Sequence, residues 1–393
     1  MPPHRFHPAF VVPRYGADVV GGAEDLARRT AEELVRRGFE VTVLTTRALD
    51  HQTWRGHYPP GPSVLNGVRV IRFEARTRVG DPELHALAAR IEQGAALSDE
   101  EQRLWLEGVV ASDALNEHIR TEGPRYTHLI FLPYLFGTTF TGSSIHPERS
   151  WIIPCLHDEP FAHMSLIKKM MRSVRGLIFN SPGERRFASR LLGVEDPGPV
   201  VGMGFRPIEG DPRAFRNRYP VRGDFALYAG RREPGKNTPL LVDYFRAYAL
   251  ENPGAKLVLM GAGNVRIPAE ASHFIFDLGR VSEPAKWDGY AAARVFCQPS
   301  VNESLSIVLL ESWLAGTPAL VNRRCAVTGD HVRESGGGLA FDCYDEFAEA
   351  LNILLSNEGL ARELGEAGRQ YVVREYNWDS VMERFLRALG AVV

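Results

Sequence analysis

The stretch "PAFVVPRYGADVVGGAEDLARRTAEELVRRGFEVTVLTT", from Pro8 to Thr46, decides the fold class. Its opening run, "PAFVVP", is short and apolar, which is typical of a buried strand. After a glycine turn, "AEDLARRTAEELVRRG" has apolar residues at helical spacing and ends at Gly38. "EVTVLTT" then predicts a second strand. A strand, a helix and a strand in this order indicate a right-handed crossover unit on a parallel sheet.

The same alternation continues along the chain. The further segments that predict strands are "VRVIRFE", "THLIFLP", "SWIIPCLH", "GLIFNS", "FALYAGR", "AKLVLMGAG", "HFIFDLG", "ARVFCQPS" and "TPALVNR". Residues Asp81 to Thr121 have a mostly helical pattern. The segment from Val200 to Asp224 is rich in Gly, Pro and Arg and poor in apolar periodicity, so it is the best candidate for a domain boundary.

Length and pattern together predict an α/β protein of two doubly wound, Rossmann-like parallel-sheet domains that face each other across a cleft. A chain of 393 residues is too long for one ordinary core. We expect a first domain over residues 1–203 and a second over 204–376. Residues 377–393 are expected to form a helix that packs back on the first domain. Ligands of such sheets bind beyond the carboxyl ends of the strands.

Composition excludes several classes of protein. The formal net charge of −2 does not support a general nucleic-acid binder. Four scattered cysteines without a Cys-x-x-Cys pair argue against a disulfide framework or a zinc site, and they fit a reducing compartment. The N-terminal residues lack an apolar run of the signal-peptide type, and no stretch approaches 18 apolar residues. We therefore expect a cytoplasmic protein.

Two glutamates frame the segment "NESLSIVLLES", from Asn302 to Ser312. If the whole segment is helical, Glu303 and Glu311 lie about 12 Å apart. The carboxylates of a glycosidase lie roughly 5–9.5 Å apart across the bond that they cleave. The spacing therefore favours two contacts with one extended ligand over a pair that flanks a single bond.

Two loops at the ends of predicted strands have residues suited to phosphate. Gly21 and Gly22 open the first helix, where backbone N–H groups can approach an anion closely. In "GRREPGKN", Arg231 and Lys236 supply a planar guanidinium and a mobile ammonium group. Taken singly, the glycines fit an ordinary strand-to-helix turn and the basic residues fit a solvated surface. Their shared place at carboxyl ends of strands favours ligand binding.

The segment "PCLHDEPF" ends another predicted strand with His157, Asp158 and Glu159. A histidine there can exchange a proton or bond a ligand hydroxyl, or it can simply cap the strand. A metal site is disfavoured because three adjacent side chains do not point at one ion. The following basic segment, residues 163–176, fits a solvated face better than a membrane-surface helix.

In their order and spacing, these motifs resemble the retaining glycosyltransferases of family 4, which have the GT-B architecture. The resemblance covers nearly the whole chain. It rests on "GGAEDLARRTAEELVRRGFEVTVLTT", "YAGRREPGKN", "LVLMGAGN", "LGRVSEPAKWDGYAAARVFCQPS" and, most specifically, "NESLSIVLLESWLAGTPALV" with its Glu-x7-Glu signature.

The resemblance implies roles for individual residues. His157 and Glu303 lie beside the reacting sugar, and Glu311 holds the nucleotide ribose. The other residues implied to bind the donor are Gly21, Gly22, Arg231, Lys236, Gly261, Val281, Ser304, Leu305 and Ser306. The acceptor is expected to bind the first domain, because the donor occupies the second. There, in the segments after the strands, Tyr15 and Tyr134 are expected to offer ring surfaces, and Asp158 and Glu159 are expected to bind polar groups.

The chain departs from the family pattern at two places. The family often has glycines where this chain has Ser304 and Ser306, so the backbone is more restricted and hydroxyls are added near the sugar. Asp330 and His331 stand where the family commonly has glycine followed by glutamate.

The implied activity is transfer of a sugar from a nucleoside-diphosphate sugar to a hydroxyl acceptor, with retention and without a metal ion or another cofactor. A soluble acceptor is favoured over a lipid-linked one, so peripheral membrane contact is not favoured. The sequence indicates no oligomeric state and no particular nucleotide base. The alternatives are a sugar-nucleotide epimerase or phosphorylase of the same fold, or a non-catalytic protein that binds nucleotide sugars.

Overall fold

The computed structural model describes residues 6–391, which form two separate β-sheets. The first sheet has seven strands in the order β3-β4-β2-β1-β5-β6-β7, and all neighbours are parallel except the β3–β4 pair. Its strands are β1 (Pro8–Val11), β2 (Thr42–Thr46), β3 (Gly61–Leu65), β4 (Val68–Phe73), β5 (His128–Phe131), β6 (Ser150–Ile152) and β7 (Gly176–Leu177).

The second sheet has six strands in the order β10-β9-β8-β11-β12-β13, all parallel. Its strands are β8 (Ala226–Ala229), β9 (Leu257–Met260), β10 (Ile275–Asp277), β11 (Val295–Gln298), β12 (Ala319–Asn322) and β13 (Gly338–Phe341). In both sheets, the strand order reverses beside the first strand, as in doubly wound folds. The predicted fold class is confirmed in this respect.

Helices connect the strands of each sheet. Those associated with the first sheet are α1 (Gly22–Arg36), α2 (Pro82–Glu92), α3 (Asp99–Val109), α4 (Asp113–Glu122), α5 (Gly137–Gly142), α6 (Ser165–Ser173) and α7 (Pro182–Leu192). Those associated with the second are α8 (Pro212–Arg218), α9 (Thr238–Glu251), α10 (Glu283–Ala292), α11 (Ile307–Leu314), α12 (Ala326–Ser335), α13 (Tyr344–Ser356) and α14 (Glu358–Glu375). The last helix is α15 (Trp378–Ala388). Short 3₁₀ turns lie at Gly123–Arg125, Pro160–His163, Pro234–Lys236 and Ala269–Ala271.

The chain divides into two compact units. The first unit comprises residues 6–204 and 381–391, and the second comprises Phe205–Ser380. The expected boundaries were residues 203/204 and 376/377. Most of α15 belongs to the first unit, where Phe385 stacks on Phe10 of β1 with ring centroids 6.2 Å apart. The Arg384 guanidinium donates a hydrogen bond to the carbonyl oxygen of Val201 at 3.0 Å.

Each sheet has its own apolar core. In the first unit, alternate residues of β1 and β5, among them Ala9, Val11, Leu129 and Phe131, are completely buried. In the second unit, strand residues such as Leu259 occupy the same position between sheet and helices. Near-continuous apolar strands are expected when a parallel sheet is covered on both faces. Within residues 6–391, no helix is both long and apolar enough to cross a membrane.

Three elements differ from the sequence prediction. The edge strand β3 and the strand β13 were missed, and the expected linker contains the helix α8. Residues Asp81 to Thr121 are helical as predicted, in the form of α2, α3 and most of α4. The missed elements lie at the edges of the sheets or in the boundary segment, so they do not alter the doubly wound pattern.

Candidate active site

The loop between β8 and α9 supplies the two predicted cations of the second unit. The 3₁₀ turn Pro234–Lys236 ends at Asn237, whose φ of 56° lies in the left-handed region that asparagine tolerates. The Asn237 side chain donates to the carbonyl oxygen of Pro299 at 3.1 Å, which ties this loop to the loop after β11. Arg231 lies at the surface, with Nη1 3.0 Å from Glu233.

Gly261, predicted from the motif after β9, lies against the same loop. Its φ is +135°, and a Cβ atom there would lie 1.8 Å from the carbonyl oxygen of Gly230. Only glycine allows this approach of two backbones. The neighbouring Arg232 is buried, and it donates to the carbonyl oxygens of Gly261 and Gly263 at 3.1 and 2.6 Å. Arg232 also pairs with Asp277, so its cation is already neutralised.

Lys236 and Glu303 form an ion pair between the two loops. Lys236 Nζ lies 2.8 Å from Glu303 Oε1, and the side chains are 25% and 12% exposed. A residue predicted to bind a diphosphate is thus in direct contact with a residue predicted to lie beside a sugar. Of the predicted donor-site residues, these two are brought together most directly. Both side chains remain partly accessible.

The turn at Ser304, Leu305 and Ser306 precedes α11. Ser306 is the N-cap residue and has a φ of 64°, so it holds the left-handed conformation that a glycine would hold at less cost. Its hydroxyl oxygen accepts a hydrogen bond from Gln298 Nε2 at 2.9 Å. The helix begins only at Ile307, so the assumption of a continuous helix from Glu303 to Glu311 is wrong. The positive φ of Ser306 is the reason.

Glu311 is completely buried on α11, and both of its carboxylate oxygens are engaged. Lys286 Nζ lies 2.9 Å from Oε2 and 3.1 Å from Oε1, and the Tyr290 hydroxyl donates to Oε2 at 3.2 Å. Burial lowers the pKa of Lys286, but Glu311 and Glu283 outweigh burial, and the net pKa is raised. Lys286 was not predicted from the sequence, because its partner lies 25 positions further along the chain.

Val281 lies directly before α10 and is partly buried. The next residue, Ser282, caps α10 by accepting a hydrogen bond from the backbone N–H of Ala285 at 3.4 Å. Val281 thus stands on a short segment between the end of β10 and a capped helix. In a parallel sheet this is the edge at which ligands bind.

In the first unit, Gly21 and Gly22 lie at the start of α1 as predicted. A Cβ atom on Gly22 would meet nothing within 4 Å, whereas one on Gly21 would lie 2.0 Å from Glu24 Oε2. Glu24 is buried, and its other oxygen, Oε1, lies 2.5 Å from Nη2 of the buried Arg14. A negatively charged side chain in the first turn is stabilised by the positive end of the helix dipole. Arg14 and Glu24 were not singled out in the sequence.

The predicted residues after β6 contact one another and their own loop. His157 Nδ1 lies 3.5 Å from Glu159 Oε1, and His163 Nε2 lies 2.8 Å from Asp158 Oδ1. The Tyr134 hydroxyl donates to Glu159 Oε1 at 2.6 Å. His157 remains 28% exposed, which leaves its ring accessible.

A buried carboxyl group accepts a hydrogen bond from the backbone of this loop. Glu184 of α7 accepts hydrogen bonds from the backbone N–H groups of Leu156 and Asn180, both at 2.5 Å. Burial raises the pKa of Glu184 to about 8, although these hydrogen bonds oppose the shift. Glu184 therefore joins the ends of β6 and β7 and fixes the residue before His157. Its place three residues after the N-cap Ser181 was the available sequence signal.

The expectation that Tyr15 and Tyr134 offer ring surfaces to an acceptor is wrong. Their relative exposures are 1% and 2%, so both rings are part of the interior. Tyr134 belongs to the apolar core of the first unit. Aromatic residues at the ends of strands satisfy the packing of the core as readily as a binding surface, and sequence alone does not separate the two.

Solved structures share this fold over nearly the whole chain. The sucrose-phosphate synthase of Thermosynechococcus elongatus has a TM-score of 0.74 and 18% identity, with 98% of this chain and 99% of that chain covered. Anabaena HepE, solved with UDP and glucose, has a TM-score of 0.70 and 14% identity, with 98% and 100% covered. The two parallel-sheet α/β units thus define the GT-B class of fold.

Comparison of sequences finds similarity to glycosyltransferases. Residues 213–371 match the family model described as "Glycosyl transferases group 1". An uncharacterised glycosyltransferase of Methanocaldococcus jannaschii is 26% identical over 400 aligned residues, which cover 95% of each chain. The chain is thus similar to the group 1 glycosyltransferases, over residues 213–371 by the family model and over nearly its whole length by the archaeal relative, which supports an enzyme of the glycosyltransferase type.

Proposed function

We propose that the enzyme transfers a sugar from a nucleoside-diphosphate sugar to a hydroxyl group of a soluble acceptor, with retention at the anomeric carbon and without a metal ion. The observation that carries the proposal is the contact of Lys236 with Glu303 at 2.8 Å. It places a cation for a diphosphate beside a carboxylate for a sugar. A nucleoside-diphosphate sugar has both groups joined at the bond that breaks.

The charges of the second unit suit the chemistry of the leaving group. When the glycosidic bond breaks, negative charge grows on the diphosphate and positive charge on the sugar ring. Lys236 and Arg231 are cations on one loop, and positive charge at this position stabilises the charge that grows on the diphosphate. They supply the role that a divalent cation has in other transferases, so the proposed mechanism is metal-free.

Glu303 and Glu311 have different surroundings and therefore different proposed roles. Glu303 is partly exposed and adjoins one lysine, so it is placed to bond sugar hydroxyls once a phosphate competes for Lys236. Glu311 is buried against Lys286 and Tyr290. We assign it to the nucleotide ribose, whose hydroxyls would share the carboxylate with Lys286.

The residues proposed to face the acceptor are in the first unit. His157 is partly exposed at the end of the segment after β6, and its backbone neighbour Leu156 is held by Glu184. A histidine in this position can bond a sugar hydroxyl. Anabaena HepE was solved with UDP and glucose, which supports a nucleotide sugar as the donor for this fold.

Replacing Lys236 by alanine tests the proposal directly. We expect turnover of the nucleotide sugar to fall by about two to three orders of magnitude, the usual loss when a group that stabilises transition-state charge is removed. Lys256→Ala is the matched control, because within residues 6–391 Lys256 Nζ donates a hydrogen bond only to the Gly254 carbonyl oxygen of its own turn, 3.1 Å away. Release of nucleoside diphosphate from a panel of nucleotide sugars measures turnover.

Three other results would contradict parts of the proposal. Normal turnover by Lys236→Ala would remove the phosphate assignment. Complete loss of activity with a chelator, restored by a divalent cation, would remove the metal-free mechanism. A changed sugar on an intact nucleotide would indicate an epimerase. Proton NMR of the first product formed decides between retention and inversion.

A further inference from the structure

The turn Ser304–Ser306 is held from the interior by side chains of two other elements. Gln298, at the end of β11, donates to the Ser306 hydroxyl oxygen at 2.9 Å. His331, in the middle of α12, has Nε2 3.1 Å from the carbonyl oxygen of Leu305. The exposures of Leu305, Ser306 and His331 are 4%, 3% and 1%, so these contacts are buried. Buried hydrogen bonds of this kind fix one backbone conformation.

The hydrogen-bond partners determine the state of the His331 ring. A carbonyl oxygen only accepts, so Nε2 must have the hydrogen that it donates to Leu305. In the neutral ring Nδ1 is then an acceptor, and it lies 3.0 Å from the hydroxyl oxygen of Tyr371 on α14. The same hydroxyl lies farther, 3.3 Å, from Glu334 Oε2. Burial lowers the pKa of His331 to about 4, which agrees with a neutral ring at neutral pH.

The geometry of the peptide bond relates the direction of the Leu305 C=O to the direction of the Ser306 N–H. In a trans peptide, the C=O of Leu305 and the N–H of Ser306 belong to one plane and point in opposite directions. With the C=O directed at His331, the N–H of Ser306 points to the opposite side of the peptide, away from His331. Among residues 6–391, the structure gives this N–H no acceptor. The first N–H groups of α11 follow it and have no partner within the helix.

We propose that His331 is a positioning residue that holds the Leu305–Ser306 peptide so that the Ser306 N–H is presented to the phosphate or sugar of the donor. This inference rests on the proposed function, because it assumes that a nucleoside-diphosphate sugar binds beside Glu303. Glu303 immediately precedes the turn and contacts Lys236, so the presented N–H and the cation serve the same anion. His331 itself touches no substrate.

Two substitutions separate positioning from simple packing. In His331→Leu the side chain fills much of the space but has no donor for the Leu305 carbonyl. In His331→Gln the amide Nε2 takes the place of the ring Nε2. We expect the leucine variant to weaken binding of UDP or GDP about tenfold and to lower turnover further, whereas the glutamine variant stays within about threefold of the wild type. His273→Leu, at an exposed histidine of the same unit, is the control.

Hydrogen exchange of the ligand-free enzyme provides a readout that does not depend on the proposed function. We expect faster exchange in a peptide covering residues 302–310 of His331→Leu, restored by His331→Gln, with unchanged exchange in β9. If the leucine variant does not fold, Tyr371→Phe keeps both rings and removes only the hydroxyl, and a smaller change of the same kind is expected.

The possible results distinguish a failure of the proposed function from a failure of the inference about His331. If wild-type enzyme binds none of UDP, GDP, ADP or dTDP, the proposed function fails, and the exchange data still show whether His331 holds the turn. A folded His331→Leu enzyme with wild-type exchange, affinity and turnover overturns the inference. A glutamine variant as impaired as the leucine variant also overturns it, since packing alone would then explain the loss.

Discussion

Lys236 is paired with a carboxylate in the free enzyme, and this determines how a donor would bind. Under the proposed function, a diphosphate, which has more negative charge than Glu303, would compete with it for Lys236 at the 2.8 Å contact. When the ammonium group moves toward phosphate, Glu303 loses its partner and gains the capacity to accept bonds from hydroxyls. At the scale of single residues, the ion pair would thus, under the proposed function, couple binding of the diphosphate to binding of the sugar.

His331 makes the stability of the protein depend on pH in the acid range. Its pKa is about 4 in the folded protein and about 6.5 in an unfolded chain. Between these values the unfolded state binds a proton and the folded state does not, so acidification below pH 6.5 destabilises the fold. The rings of Tyr371 and Tyr376 pack against His331, and Glu334 lies beside the Tyr371 hydroxyl. Between pH 7.5 and pH 4.5, the expected loss from His331 alone is about 2–3 kcal/mol.

Comparison with His331→Gln isolates this contribution. Glutamine does not titrate. The unfolding free energy of the wild type minus that of the variant should therefore fall by about 2–3 kcal/mol between pH 7.5 and pH 4.5. Urea unfolding at the two pH values measures it, and a difference that does not change with pH would contradict the buried neutral ring.

Single residues of the site were predictable only where they lie in a short segment with an informative spacing. Arg231 and Lys236 lie within one short loop after a strand, and Glu303 and Glu311 frame an apolar run, so spacing was informative. Lys286 was not predictable, because its contact with Glu311 joins α10 to α11 through tertiary packing. The burial of Tyr15 and Tyr134 likewise depends on what covers them.

At the scale of elements, the close approach of Gly230 and Gly261 links the ends of β8 and β9. We expect Gly261→Ala to destabilise the second unit by about 3 kcal/mol or more. An added Cβ would lie 1.8 Å from the Gly230 carbonyl oxygen, at a φ of +135° that alanine rarely adopts. Thermal unfolding measures the loss.

Gly235→Ala is the matched control in the β8–α9 loop. Its added Cβ would come no closer than 3.7 Å to Glu233, and its stability should remain near that of the wild type. Equal stability of the two variants would show that the backbones separate at little cost.

Elements were predicted well when they contain continuous apolar residues and poorly when tertiary contacts define them. β1, β5, β8 and β9 are buried and were evident from composition. β3, with the sequence "GPSVL", contains a glycine and a proline, and its residues are exposed or partly exposed, so no burial pattern marked it. The helix α8 had a usable signal, because Asp211 caps it and Pro212 is its first residue.

At the scale of the whole molecule, α15 completes the first unit from the far end of the chain. Phe385 is 1% exposed and stacks on Phe10. We expect Phe385→Ala to cost the first unit about 3–5 kcal/mol, the usual loss for a buried phenylalanine. Hydrogen exchange should become faster in β1 and remain unchanged in β9.

Arg387→Ala, a substitution on the same helix, is the matched control for Phe385→Ala. The Arg387 side chain is 73% exposed, and its pair with Glu383 lies at the surface, so little change is expected. Equal effects of Phe385→Ala on both sheets would contradict the assignment of α15 to the first unit.

The division of the chain also has a consequence for its synthesis on the ribosome. The second unit is continuous in sequence, from Phe205 to Ser380, whereas the first unit lacks part of α15 until residues 381–391 have been made. Domains generally fold as units while the chain emerges. The second unit can therefore finish folding before the first, although most of the first unit is translated earlier. Until α15 has been made, Phe10 is not covered by Phe385. The part of the protein that is made first is completed last.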